Sequence, residues 1–335
     1  MAQRDAERQR RRAAELRACG GQYGAAARAL SQVHQEHDRL PSQIAVRRSF
    51  VLRRSQWPQP TERVVLSSPV ADLLTQKGWA LHLYLIALFD AQCRRRPGGG
   101  VVTNLRPLLS TSGQPGWIDF LPRTTTTADR DAGMLRQVKR ALSLLDRFTL
   151  VSLTGRPGSA GRYERFQLLH ESGQTRGPWI RDRYEIPEHD TQIGMDPLRP
   201  HASIAGSAEV LHLPTAFFLN GWIHVLSAAE IATYLMLREL ETRYPNKSKE
   251  GVYANRTTRE GWYGLGRDIY ESHRQLARYG LVEQLQDPNR DMNGKISRQP
   301  SGTKYLQPLR FRTLPGGLQQ PSLSRVVSAL TTPQG

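Results

Sequence analysis

The sequence predicts an α+β fold that uses one unit twice, behind a basic helical N-terminal arm. Three observations predict it. A long apolar helix lies near a Gly-Trp pair in each half, at Gly78-Trp79 and at Gly221-Trp222. A basic helix runs directly into a strand in each half, "LRQVKRALSLLDRFTLVSL" and "DIYESHRQLARYGLVEQL". A basic hairpin then follows in each, with later strands "YERFQLL" and "YLQPLRF". Identity between the halves is low, so the repeat is one of architecture. At 335 residues the chain has room for two domains, since one core serves roughly 100–200 residues.

Residues 1–54 are rich in good helix formers and carry a local net charge of +7. "AERQRRRAAELRA" and a weak apolar stripe of Ala26, Ala29, Leu30, Val33 and His37 predict two helices parted at Gly20-Gly21. This arm reads as a solvated segment, or as a contact to a DNA backbone or to a second copy of the chain. "SQWPQPTER" marks a linker over 55–63, and the first unit is expected over 64–170. Leu73 to Cys93 is apolar around most of its circumference, which predicts a buried central helix ended by "RRRPGGG". "TSGQPGW" and "LPRTTTT" mark loops. Leu135, Val138, Leu142 and Leu145 then share one face of a helix over Leu135 to Asp146. "FTLVSLTGRPGSAGRYERFQLL" reads as strand, Gly/Pro tip and strand.

Weak periodicity over 171–208 predicts a second linker, with the second unit over 209–313. Ser227 and Glu230 have capping-box spacing at the start of a helix to Arg243. Val252-Tyr253 suggests a short strand and Thr258 to Tyr263 a short helix. A longer helix follows from Arg267 to Tyr279, with Gly280 as its left-handed cap. Leu281 to Gln286 and Tyr305 to Phe311 are expected to pair as a hairpin around a polar loop. Residues 314–335 read as a flexible tail.

The charge narrows the class of partner. Lys+Arg number 47 against 30 Asp+Glu, a net charge of +17, and the isoelectric point is near 10.5. Such an excess favours a polyanion, because each neutralised phosphate releases condensed counterions. Cys19 and Cys93 lack a CxxC partner, so a disulfide framework or cysteine zinc site is not expected, and a reducing cytoplasm is the simplest compartment. No run of about 18 apolar residues predicts a membrane span, and the N-terminus has no apolar signal region.

Helix, short strand, helix, turn, helix and hairpin is the order of a winged helix-turn-helix. Over Arg256 to Gln286 the glycine turn, "YESHRQLARYGLVE" and the hairpin resemble winged-helix DNA-binding domains. The tandem arrangement, over roughly Val64 to Phe311, resembles the double winged-helix plasmid replication initiators. The resemblance implies two winged helix-turn-helix domains in tandem, double-stranded DNA as partner, and contact with host replication proteins. It implies no cofactor.

On the second basic helix, Ile269, Leu276 and Tyr279 are expected to face the core, with His273 near their edge. Arg267, Tyr270, Glu271, Arg274, Gln275 and Arg278 are left on the open face. A major groove about 12 Å wide admits one helix, and Arg or Gln can reach base edges there. Arg274 is the first candidate for base readout and Arg267 the next, while Tyr270 and Arg278 are placed on phosphates. The first basic helix offers Arg136, Gln137, Lys139, Arg140 and Ser143. The hairpins offer Arg156 and Arg162, and Arg290, Lys295 and Arg298, suited to the minor groove or backbone.

Other constellations are explained by plainer roles. "RTTTTADR" suits a loop or a helix cap near phosphates. His34 and His37 have helical spacing but no third metal ligand nearby. "YPNK" (Tyr244 to Lys247) lacks a dinucleotide glycine loop, "LHLY" (Leu81 to Tyr84) lies in an apolar helix, and no GxxxxGK[ST] loop is present. Trp79 and Trp222 read as core anchors. No enzyme activity is expected. The expected function is sequence-specific duplex binding, with replication initiation as the role. A transcriptional regulator with the same DNA-binding halves, or a basic RNA-binding protein, is the alternative.

Overall fold

The computed structural model describes residues 2–37, 39–53, 67–75, 78–111, 113–122, 130–159, 161–174, 182–187, 210–247, 249–285 and 309–332. It is a mixed α+β structure of helices and small two-stranded sheets. Two apolar helices organise the core. The first is α5 (Ala80–Arg94), in which every residue from Ala80 to Cys93 is buried. The second is α9 (Ala228–Arg243), buried continuously from Glu230 to Leu237. The sequence expectation of one helix from Leu73 is corrected: α4 (Pro69–Leu74) stops, and the chain re-enters helix only after Trp79.

The two halves repeat more closely than their letters suggest. After α5 the chain bridges Thr103 to Gln167, and after α9 it bridges Val252 to Phe311. In each half the residue reached is on the returning strand of a hairpin. These hairpins are β2 (Val151–Ser152) with β3 (Gln167–Leu168), and β5 (Val282–Leu285) with β6 (Arg310–Thr313). The basic helix before each hairpin is α6 (Arg130–Arg147) in the first half. In the second it is two short helices, α11 (Arg267–Tyr270) and α12 (His273–Arg278), so the single helix expected there is interrupted at Glu271-Ser272.

Both basic helices end in the same hydrogen-bonded cap. Leu281 N donates to Leu276 O (3.0 Å) and Gly280 N to Ala277 O (3.0 Å). Leu150 N donates to Leu145 O (2.9 Å) and Thr149 N to Asp146 O (3.1 Å). This is the Schellman closure, with a residue in the left-handed region after the helix. Gly280 meets that need with φ 75°, whereas Thr149 is held at φ 59°. A β-branched residue there costs roughly 1–2 kcal/mol. Thr149→Gly is therefore expected to raise stability by about 1 kcal/mol, and Gly280→Thr to lower it by about 1–2 kcal/mol. Thermal melts of both variants check this, and equal melting points would refute it.

The termini are integral to the packing, which corrects two expectations. The segment expected to be an arm, solvated or in contact with DNA or a second copy, folds into the core as α1 (Ala2–Ala18), α2 (Gly20–Gln35) and β1 (Gln43–Arg47). Ala13, Leu16, Leu30 and Val33 enter the core. β1 pairs along its whole length with β4 (Val210–Pro214) from the start of the second unit. Gln92 of α5 secures this ribbon, accepting from Ala45 N and donating to Ala45 O at 2.9 and 2.7 Å. The expected tail is also structured: α13 (Ser322–Thr331) lies against α1 and buries Val326 and Leu330.

Part of the second linker belongs to the first-half sheet as well. Leu169 bridges Arg183 and Val101 bridges Glu185, while Glu171 is buried under Arg47. The first linker, and residues 175–181 and 188–208 of the second, lie outside the described residues.

Buried carboxylates fix these long-range contacts, each gripped by arginine. Asp90 is held by Arg94 and Arg106. Glu171 is held by Arg47. Glu239 takes Arg48 Nε at 2.8 Å, Arg243 Nε at 3.0 Å and the Tyr263 hydroxyl. Glu230 is held by Arg12 of α1. These pairs engage four carboxylates with six arginines, Arg12, Arg47, Arg48, Arg94, Arg106 and Arg243.

Candidate nucleic-acid interface

The second basic helix is oriented by its apolar side. His273, Leu276 and Tyr279 are buried, and Ile269 packs on the same core. His273 is buried and also lines the groove beside the helix, at the edge of the core face as expected. Its Nδ1–H donates to Tyr270 O (2.7 Å), and burial lowers its pKa, so the ring is neutral.

The opposite side of α11 and α12 forms one wall of an open groove of about 610 Å³. Arg256 and Arg259 line it from α10 (Arg256–Thr258) and the π-turn that continues it, Arg259–Tyr263. Gln284 of β5 and Leu309 line it from the hairpin. Arg267 and Arg274 project into solvent with side-chain exposures of 80% and 66%. Glu271 holds both, at 3.0 and 3.9 Å. Glu260 holds Arg256 at 3.0 Å and Arg259 at 3.1 Å, and the hydrogen bond from Arg256 lowers its pKa.

Four arginines therefore share two carboxylates. Arg256, Arg267 and Arg274 are exposed, and exposed pairs of this kind contribute little to stability. They pre-orient the guanidinium groups.

Arg259 differs from the others. It is 7% exposed, its guanidinium stands 5.0 Å from the Tyr270 ring centroid, and its Nε has no hydrogen-bond partner. Tyr270 is itself half-buried, edge-on to Phe311 at 6.1 Å, and burial pushes its hydroxyl up to about 12. It is a neutral wall of the groove beside Arg267 and Arg274, half-buried where a fully open position was expected.

Comparison of the chain with models of protein families, with curated proteins and with solved structures finds no match. The geometry therefore stands by itself.

Arg278 is the principal correction among the expected contact residues. Its guanidinium donates to Gln9 Oε1 of α1 (2.7 Å), to Thr332 O (3.1 Å) and to Ala329 O of α13. It joins both chain ends to the basic helix, so it is not a free phosphate ligand. Gln275 is half-exposed on the same helix and does not line the groove.

In the first half, Arg136 and Arg140 are exposed. Lys139 lies 5.8 Å from the Tyr163 ring centroid, and Ser143 bonds the Tyr163 hydroxyl at 2.9 Å, tying α6 to its hairpin. Gln137 faces another groove, shared with Trp79. Arg156 is exposed at the hairpin tip. Arg162 is drawn to Asp146 at 3.4 Å with 15% side-chain exposure, so it is partly withdrawn from the surface. Arg290, Lys295 and Arg298 lie outside the described residues.

Sequence reasoning passed over Arg256, Arg259 and Gln284. The signal available was the i, i+3 spacing of the two arginines just before the glycine turn. Among the described residues no group of three His, Cys, Asp or Glu side chains could hold a metal ion, and no helix is long and apolar enough to cross a membrane.

Proposed function

We propose that the chain binds duplex DNA sequence-specifically through two winged-helix units, with the role of a plasmid-type replication initiator. The observation that carries this reading is the groove of the second half. There a helix docked by its apolar side presents Arg267 and Arg274 beside a β-hairpin, within a ring of weakly held arginines. Arg274 reads a base edge, Arg267 assists it, and Arg256 with Arg259 and Tyr270 contacts the backbone. Phosphate contacts set the register and the base contact supplies discrimination. The repeated cap, bridge and hairpin of the first half support a second reader built on Arg136, the counterpart of Arg267. The initiator role is supported by the resemblance of the tandem layout.

Selection of bound duplexes from a random pool, followed by footprinting, tests the proposal. The expected outcome is a site of about two helical turns, since adjacent major grooves lie about 34–36 Å apart. Protection of only a few base pairs, or preference for structured RNA at matched salt, would overturn it. Autonomous replication of a plasmid carrying the site, compared with a promoter reporter beside it, separates initiation from transcriptional control. Arg274→Ala is expected to cost about 1–3 kcal/mol and to relax preference at one base position. Arg278→Ala is expected to act through stability instead. If Arg274→Ala weakens all duplexes equally, base readout belongs elsewhere.

A further inference from the structure

The repeat exposes an asymmetry between the halves. In the second half, α1 lies across the start of α9 and the end of α12. Its Arg12 reaches Val225 O and Glu230 on one side and the Tyr279 hydroxyl on the other, while Gln9 takes Arg278. The shared caps make Arg147 and Phe148 the counterparts of Arg278 and Tyr279. The first-half place corresponding to that occupied by α1 is therefore between the start of α5 and the end of α6.

That place is an open groove of about 500 Å³. Trp79, Ala80, Ala141 and Leu144 give it an apolar floor, and Arg140 and Arg147 flank it. Trp79 and Leu144 are only partly buried. No carboxylate lines it, and neither arginine forms an ion pair among the described residues.

We infer that this groove is a docking site for an amphipathic helix of a partner protein bearing carboxylates. In the second half the groove has an acid, Glu230, and its occupant supplies the cation Arg12. In the first half the third position of the central helix is His82, buried and neutral, and the charges on the rim are cationic. The signs are reversed, so the occupant must supply the acid. Helix-in-groove recognition reads apolar anchors at i, i+3, i+4 and i+7. The groove matches that scheme, with its apolar floor for the anchors and Arg140 and Arg147 two turns apart for two carboxylates. The inference is independent of the DNA reading.

A display library of 16-residue helical peptides, randomised at i, i+3, i+4 and i+7 and selected against the full chain, tests it. Enriched peptides are expected to carry two carboxylates one or two turns apart beside apolar anchors. Their affinity is expected to fall at least tenfold with Leu144→Asp and with Arg147→Glu. The second variant changes only an exposed side chain and keeps the test valid if the first is poorly folded. Absence of enriched peptides, enrichment of basic ones, or indifference to Arg147→Glu would overturn the inference. Displacement of the peptides by a 20-base-pair duplex, with photo-crosslinking from position 144 to DNA, would assign the groove to nucleic acid and overturn it equally.

Discussion

Arg12→Ala is expected to lower the unfolding free energy by about 3 kcal/mol. The side chain connects α1 to the core through two short bonds to Glu230, at 2.6 and 2.7 Å, and a third to Val225 O at 2.8 Å. Glu230 has 3% of its side chain exposed, so losing the guanidinium leaves a carboxylate with no opposite charge in a poorly solvated place. Stripping one partner from a buried pair costs about 3–5 kcal/mol. The low end applies because Ser227 N and the Tyr279 hydroxyl still donate to Glu230, at 2.7 and 3.1 Å. Arg12→Lys restores charge without the paired geometry and should recover only part.

Arg11 is the contrast, one residue away and paired with Glu15 at 3.0 Å, yet 81% exposed. Arg11→Ala should change stability by under about 0.5 kcal/mol. Urea unfolding of the three variants reads the difference. Equal midpoints for Arg11→Ala and Arg12→Ala would mean that α1 is not part of the cooperative fold.

Acid is expected to weaken the joint between the halves well above the carboxylate range. His82 of α5 donates from Nε2 to Leu226 O in the second half at 3.0 Å. His224 of α8 (Trp222–Val225) donates from Nε2 to Phe120 O in the first half at 2.9 Å. Each ring must carry its proton on Nε2 to face a carbonyl. The second nitrogen, Nδ1, is buried without a partner in both. A second proton would thus introduce charge with nothing to accept it, and burial holds both pKa values near 4.

The sign of the effect follows from the unfolded state. Unfolded histidine binds a proton near pH 6.5, whereas the folded ring stays neutral down to about pH 4. Stability is full above pH 6.5, declines as pH falls to about 4, and takes no further loss from these groups below that. The loss is about 3 kcal/mol for each histidine, on the basis of about 1.4 kcal/mol per pH unit. Denaturant unfolding between pH 7 and 4 measures it. His82→Gln with His224→Gln keeps a donor to each carbonyl and removes the titration, so the double variant should have a flatter profile. A wild-type profile no steeper than that of the double variant would refute the assignment.

Much of the local structure was legible in the sequence because local rules govern it. The Ser227-Glu230 capping box forms with both of its bonds, at 3.3 and 2.7 Å. Gly280 takes the left-handed cap, and the 3.6-residue spacing of Val138, Leu142 and Leu145 places them in the core. Arg267 and Arg274 project into solvent as the helical period requires. Arg278 shares that period and is nevertheless engaged internally. Its partners Gln9, Ala329 and Thr332 come from the two ends of the chain, and no window of sequence contains them together. The docking of the arm and of α13 depends on distant partners in the same way. Composition rich in arginine and alanine resembles a solvated helix until a distant acid such as Glu230 is placed against it.

The sequence by itself determined local features of this protein: its two apolar central segments, the caps at Ser227 and Gly280, a basic helical segment meeting a hairpin twice, and a net positive charge. These follow from dihedral preferences, hydrophobic period and charge, which act over a few residues. Tertiary structure decided which cations remain available. Pairing between residues hundreds of positions apart draws Arg12, Arg47 and Arg278 inward, and leaves Arg256, Arg267 and Arg274 around an open groove. Desolvation and ion pairing depend on what arrives from elsewhere in the chain, so the same residue type becomes a clamp at one site and a candidate ligand at another.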